Sequence, residues 1–406
     1  MTRVLYVIFI RLFIIGIHID AIFNRKSKLA VRGRAKPINL SPKLKKRVWI
    51  HCASLGEYEQ ARPIIEKLSQ SGMEIILSFF SPSGYEPKQY DTVADYVCYM
   101  PFDTSNNARK FLKATDPDLI IFIKYEFWWN FIRIILAAKI PLIFVSVALR
   151  EQHYLFRNLA QPFLNLLRKT DHLFLIDTAS YALLEQKGFK NITLAGDTRV
   201  ESIYNQKMLD VENKIFEEFS RDSEVLVFGS SYPIEHEEIV KIFDDITEYQ
   251  RIIIFPHNID QKEIFELKDQ LGKQCIIYSS IKAIPVFSGY DILIVDEIGL
   301  LKDAYRYASM VYIGGGFTHG LHNILEPFVY KLPLIFGPKY EKFPEARYLS
   351  KQRFVKVISS VHDLEEAVNT LREGDFQLEI EKIYSVIFEE NGSASRDIIR
   401  YIKNEL

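Results

Sequence analysis

The sequence predicts an α/β protein of two domains, each built on a parallel sheet, preceded by an apolar and basic head. Three observations carry this. From residue 48 onward short apolar runs alternate with helix-like segments, the pattern of parallel βαβ units. The 406 residues are too many for one ordinary hydrophobic core. The polar stretch from Glu201 to Asp222 contains no strand-like run and divides the series in two.

In the first series the expected strands are Val48–Cys52, Glu74–Phe80, Tyr96–Met100, Leu119–Ile123, Leu142–Val147, His172–Ile176 and Ile192–Ala195. The second comprises Val225–Gly229, Arg251–Phe255, Gln274–Tyr278, Asp291–Val295, Met310–Ile313, Leu334–Phe336 and Phe354–Ile358. Val361 to Leu406 reads as helices. The expected division is a head and linker over 1–40, a first domain over 41–205 and a second over 206–406, with a cleft between the two domains.

Apolar residues at 48% and charged residues at 25% describe a globular chain rather than a disordered one. Cys52, Cys98 and Cys275 are far apart and form neither a CxxC pair nor a disulfide framework, so each reads as a small buried residue in a reducing compartment. No metal site and no nucleic-acid partner is expected.

The net charge of −1 hides an asymmetry. Residues 1–47 hold twelve Lys or Arg against Asp20 alone, so the head carries +11 and the rest of the chain −12. A basic head on an acidic body points to an anionic surface met at that end. Val4 to Phe23 is about long enough to cross a bilayer, yet it contains Arg11, His18 and Asp20, each costly at mid-membrane. A helix lying in the interface, with the following basic cluster on acidic headgroups, is therefore preferred over a clean span. A cleaved signal peptide is disfavoured because no small-residue cleavage site precedes the basic run. A buried first helix is the competing reading.

Two loops hold the candidate chemistry. In Met310 to Glu345 an apolar run ends in Gly314-Gly315-Gly316, and a helix is expected near Asn323 because Pro327 is tolerated in a first helical turn. Backbone N–H groups and the positive end of a helix dipole, about half an elementary charge, would then meet a phosphate at the carboxyl end of a strand. His319, His322, Asn323 and Glu326 add imidazole, amide and a carboxylate for ribose hydroxyls, which together suit a nucleotide. For Asn323 and Glu326 alone the competing reading is a capping box. In His51 to Glu59 the small residues Ala53, Ser54 and Gly56 let a backbone pass under a ligand, and Glu57 opens a helix with its carboxylate towards the cleft. A first-turn Glu that complements the helix dipole is the alternative. Further strand ends bring Glu126 and Trp128, Arg199, Ser230 and His257 to the same side, with core packing the better reading for the tryptophan and a solvated surface position the competing one for Arg199 and His257.

His51-Cys52-Ala53-Ser54-Leu55-Gly56-Glu57 resembles the His-Ala-Ala-Ser-Val-Gly-Glu segment of the 3-deoxy-D-manno-octulosonic acid (Kdo) transferases. Gly315-Gly316-Phe317, followed by His319-Gly320-Leu321-His322-Asn323-Ile324-Leu325-Glu326-Pro327, is similar to their Gly-Gly-Ser-Phe and His-Gly-Gly-His-Asn-x-Leu-Glu-Pro segments. Phe336-Gly337-Pro338 and Phe343 continue the match. The resemblance implies a GT-B glycosyltransferase with two Rossmann-like domains and a membrane-associated N-terminal helix. It would sit on the cytoplasmic face of the inner membrane, as a monotopic protein or on a single anchor.

The implied reaction moves Kdo from CMP-Kdo to a lipid A precursor with inversion, without cofactor or metal. Glu57 is then the base. Donor contacts fall to Arg199, Ser230, His257, Gly315, Gly316, His319, His322, Asn323 and Glu326, and acceptor contacts to Ser54, Gly56, Glu126 and Trp128. Departures occur where the family commonly reads Glu-Thr-Glu-Leu-Trp-Pro-Asn and this chain has Lys124-Tyr125-Glu126-Phe127-Trp128-Trp129-Asn130, and where Arg199 replaces a lysine. Open alternatives are a GT-B enzyme using a UDP-sugar, a sugar-nucleotide epimerase and a non-catalytic nucleotide sensor.

Overall fold

The computed structural model describes all residues except 1–2, 91–92, 158–159, 210–211, 243–250, 282–286, 319, 391–393 and 406. A strand forms at each apolar run. The first series is β1 Arg47–Cys52, β2 Glu74–Phe79, β3 Tyr96–Tyr99, β4 Leu119–Ile123, β5 Leu142–Val147, β6 His172–Leu175 and β7 Ile192–Leu194. The second is β8 Val225–Ser231, β9 Arg251–Pro256, β10 Cys275–Ile277, β11 Ile292–Ile294, β12 Met310–Ile313, β13 Leu334–Phe336 and β14 Val355–Val357. β1, β4 and β5 are buried at every position, which is why they read as continuous apolar runs rather than alternating ones.

Each series closes into one parallel sheet. The orders are β3-β2-β1-β4-β5-β6-β7 and β10-β11-β9-β8-β12-β13-β14. In the first sheet the chain runs outward from β1 to β3, then returns to place β4 on the other side of β1. In the second, β12 returns beside β8, pairing Ile313 with Gly229. These reversals, β1/β4 and β8/β12, are the switch points at whose carboxyl ends ligands bind in open α/β sheets.

The chain divides into two compact units, residues 1–202 with 390–406, and residues 203–389. The last helix, Ala394–Glu405, therefore belongs with the first unit and not with the second domain expected over 206–406. Its Ile398, Ile399 and Ile402 enter the core cluster that contains Ile64, Ile65 and Leu68 of helix α3, Leu55–Gln70. Ser395 reinforces the attachment, its backbone N–H donating to Glu201 Oε2 at 2.9 Å and its hydroxyl to Oε1 at 2.5 Å. Lys67 of α3 donates to Glu201 Oε1 at 2.5 Å.

The head forms two helices, α1 Arg3–Phe23 and α2 Arg25–Arg34. α1 is long and apolar enough to cross a membrane, with 11% of its most apolar window buried. Tyr6 and Ile10 are its buried residues. Tyr6 donates to the buried Asp103 carboxylate at 2.5 Å and packs beside Trp129 and Phe163. Phe13 stacks on Phe80 at 6.2 Å. Val4, Ile8, Phe9, Leu12, Ile15, Ile19 and Ile22 stay exposed. Arg34 of α2 donates through Nε to the Met100 carbonyl at 2.9 Å, and its guanidinium lies over Phe80 and Phe102. Phe80, Met100 and Asp103 directly follow β2 and β3, so the head is docked on the carboxyl edge of the first sheet.

Candidate active site

At the β1/β4 switch point, β1 ends in Cys52 and the chain turns through Ser54, the N-cap of α3, so that Glu57 occupies the helix's first turn. The Ser54 hydroxyl donates to Glu57 Oε2, and Lys124 Nζ, from the residue after β4, lies 3.3 Å from Oε1. Burial works against the charge on Glu57, but the Ser54 hydroxyl and the Lys124 ammonium outweigh it and hold the carboxyl below its ordinary range. A Cβ added to Gly56 would meet only Ser54 Oγ, at 3.7 Å, so space rather than protein lies over this turn.

Beneath this pair runs a buried polar chain. Trp49 Nε1 donates to Ser78 Oγ at 2.7 Å, His51 Nδ1 lies 2.9 Å from the same oxygen, and His51 Nε2 lies 3.2 Å from Glu126 Oε2. Trp128 Nε1 donates to Glu126 Oε2 at 2.7 Å and its ring stacks on Phe80 at 4.9 Å. Glu126 is thus aimed from below by two rings. Trp129 and Asn130 turn inward instead, Asn130 bonding the Asp103 loop. Of the four acceptor residues expected, Ser54, Gly56 and Trp128 flank the two carboxylates Glu57 and Glu126. His51, Ser78 and Lys124 complete the cluster. Only long-range pairing brings Ser78 and Lys124 in, although His51 sat inside the quoted motif.

The β8/β12 switch point in the second unit holds Gly314-Gly315-Gly316. Here the glycines answer to the protein itself. A Cβ on Gly314 would lie 2.1 Å from the Ser230 carbonyl oxygen, and one on Gly316 would lie 2.5 Å from the Gly337 nitrogen. Gly315 takes φ 89°, a left-handed conformation that glycine adopts without strain. Its N–H, expected to face a phosphate, donates to Glu235 Oε1 at 3.2 Å. Glu235 is buried and also accepts from Tyr232 N at 2.7 Å and Tyr312 Oη at 2.8 Å. Burial raises its pKa against three hydrogen bonds that favour the ionised form.

Glu235 was legible as a first-turn Glu behind Pro233, three residues after Tyr232. It reaches back to the N–H of Tyr232 as one half of a capping box.

Beside the loop, Tyr232, His257 and His322 form a ring cluster, with centroids 4.5 Å apart for Tyr232–His257 and 4.8 Å for His257–His322. Burial, with His257 adding to it, lowers His322 to about 4, so this imidazole is neutral at pH 7. His236, bonded to Ser231 Oγ at 2.8 Å, is likewise lowered to about 4 by burial. Ser230 holds φ 56° at the end of β8.

One expectation changes here. The helix expected near Asn323 is a single turn, Leu325–Phe328, too short to carry a full macrodipole. Asn323 caps it loosely, Oδ1 accepting from Leu325 N at 3.1 Å while Nδ2 donates to Glu326 Oε1 at 3.0 Å. Glu326 therefore meets the Asn323 side chain rather than a cap N–H. It lines a cavity of about 150 Å³ with Gln206, Lys302, Arg306 and Tyr330. Arg199 lies in the first unit, as expected, 3.6 Å from Asp197. His319 lies outside the described residues.

Two parallel α/β units with polar groups gathered at both switch points define a GT-B-type protein. Solved structures agree on the fold. UDP-GlcNAc 2-epimerase from Neisseria meningitidis superposes with a TM-score of 0.61 at 16% identity, covering 88% of this chain and all of that one. The calicheamicin glycosyltransferase CalG4 gives 0.55 at 13%, covering 89% and 100%. At these identities the likeness shows fold alone.

Residues 26–202 match the family model described as 3-deoxy-D-manno-octulosonic-acid transferase (kdotransferase). The 3-deoxy-D-manno-octulosonic acid transferase of Aquifex aeolicus is 28% identical over 75% of this chain and 80% of its own length. A bifunctional glycosyltransferase/methyltransferase of Fusobacterium nucleatum is 24% identical over 87% of this chain, which spans 56% of that relative's length. The chain is thus similar to the Kdo transferases over residues 26–202 and, at 24–28% identity, over most of its length.

Proposed function

We propose that this protein is an inverting glycosyltransferase that moves Kdo from CMP-Kdo to a hydroxyl of a lipid A precursor at the cytoplasmic face of the inner membrane. The supporting observation is that Glu57, Glu126 and Lys124 gather at the switch point of the sheet edge onto which the apolar, basic head is docked. A phosphorylated glycolipid held at a membrane surface would meet that edge first. α1 supplies the exposed apolar face and α2 the cations.

In the proposed reaction Glu57 takes the proton of the acceptor hydroxyl as that oxygen bonds to the anomeric carbon of Kdo. The bond from that carbon to the CMP phosphate breaks, and CMP leaves with the electron pair. His257 and His322 would face the donor's anionic groups, and Glu326 the ribose hydroxyls. Arg199 is a candidate for the same donor. The growing charge on the leaving phosphate is met by oriented dipoles rather than by a long helix.

The test is transfer from CMP-Kdo, generated in situ, to a tetraacylated lipid A precursor in detergent, with products read by mass spectrometry. Gain of one or more Kdo masses is expected. A folded protein that leaves CMP-Kdo untouched but consumes a UDP-sugar with the same acceptor would overturn the donor assignment. Conversion of a sugar nucleotide without acceptor would point to an epimerase.

A further inference from the structure

We infer that Lys124 is a positioning residue for Glu57, its ammonium reaching across the β1/β4 switch point to hold one carboxylate oxygen in place. The two oxygens of Glu57 are held from different sides. Ser54 of its own turn takes Oε2, and Lys124, from the neighbouring strand, stands 3.3 Å from Oε1. The contact ties the end of β4 to the helix that follows β1, and so fixes the carboxylate relative to the crevice between them.

The backbone of Lys124 supports this role. It sits at φ 58°, a left-handed conformation that a lysine adopts only at a cost, with its N–H bonded to the Val145 carbonyl at 2.8 Å. A plain turn would be served better by glycine or asparagine. What lysine adds there is the reach of its side chain. Its position is also where the chain departs from the motif it otherwise resembles, a cation standing for an acid.

The surroundings make the charge matter. Glu57 has 16% of its side chain exposed and Lys124 32%, so water screens the pair only in part. Glu59 projects from the same helix, and Tyr125 and Glu126 follow Lys124 on the β4 loop. Cys52 of β1 is buried and keeps its proton, its pKa raised well above the ordinary value by burial first and then by Glu57 and Glu126. Tyr125 is raised too, mainly by burial. Lys88 lies over the ring of Tyr58, on the next residue of the helix. Lys124 is a cation in direct contact with the carboxylate and, with the Ser54 hydroxyl, favours its ionised form.

Lys124 can hold this role only if Glu57 is the base proposed above, and the test separates the two. The pH dependence of kcat/KM is measured for the wild type, Glu57→Gln, Lys124→Met and Lys124→Arg, alongside CMP affinity and Tm. The wild type should show an acid limb that Glu57→Gln abolishes. In Lys124→Met that limb should move up by about one pH unit, since an opposite charge at this range lowers a carboxyl by about 1–3 units. Lys124→Arg should leave it near the wild-type position. If Lys124→Met folds poorly, Lys124→Gln is read in the same way. A limb unmoved in the uncharged variant, with CMP affinity intact, overturns the role of Lys124 and leaves the reaction standing. A wild type without Kdo transfer, or a limb that survives Glu57→Gln, overturns the proposed base itself.

Discussion

At the scale of single residues, the two units repeat one device with different outcomes. Each places a glutamate in the first turn of the helix that follows the first strand of its sheet, Glu57 in one and Glu235 in the other. Glu235 is 2% exposed and spends its oxygens on two backbone N–H groups and a tyrosine. Glu57 instead meets the side chains of Ser54 and Lys124, beside a turn at Gly56 that has open space over it. Position in the sequence is the same for both, so the sequence could nominate each as a first-turn glutamate but could not assign burial, which long-range packing decides.

Glu57→Gln is expected to slow transfer by roughly 10²- to 10⁴-fold, the range for loss of a general base, while CMP affinity measured by calorimetry stays unchanged. Glu326→Ala should weaken CMP binding at least about tenfold, a loss of about 1.4 kcal/mol, with little change in Tm. A fall in Tm at unchanged affinity would reduce Glu326 to a partner of Asn323. His236 gives a pH prediction. Its folded pKa of about 4 lies below its ordinary 6.5, so the folded state favours the neutral ring. That contribution is full above about pH 6.5 and is lost as pH falls towards 4, with a slope of up to about 1.4 kcal/mol per pH unit. Urea unfolding at pH 7 and pH 5 should show the loss, and His236→Gln should flatten it.

At the scale of elements, the strands were legible because parallel strands covered on both faces are continuous apolar runs, and each expected strand is present to within about two residues at either end. The glycine loop was legible as a loop but not in its working. Its close contacts with Ser230 and Gly337 come from chain segments far apart in sequence, and Gly315 gives its N–H to a carboxylate that begins another helix. Gly314→Ala should therefore destabilise the second unit by roughly 1–3 kcal/mol or more, since backbone rather than a flexible side chain must yield. CMP affinity should fall with it.

In the head, Tyr6→Phe removes one hydrogen bond to Asp103, which keeps those from Asn130 N and Phe131 N. A loss of about 1–3 kcal/mol is expected, read as faster proteolysis between α1 and the first strand while the CMP affinity of the second unit is unaltered.

At the scale of the whole molecule, the number and kind of domains follow from the strand series, but the path of the last helix does not. Amphipathic residues such as Ile398 and Ile402 announce a helix that buries one face, and nothing local says which unit receives it. The structure sends it back to the first. Residues 203–389 are consequently one unbroken stretch, whereas the first unit is made from two. Expressed alone, 203–389 is expected to unfold cooperatively and bind CMP, while a chain ending at 389 should lose much of the stability of the first unit. Urea melts of both would check this.

Glu201 and Ser395, on either side of that stretch, are in hydrogen-bond contact. Residues 203–389 thus leave and re-enter the first unit's chain at nearly one point, the geometry of an inserted cassette. Such a cassette can be exchanged by recombination at two neighbouring junctions without cutting the first sheet. New versions of the second unit can then be tried on an unchanged first unit.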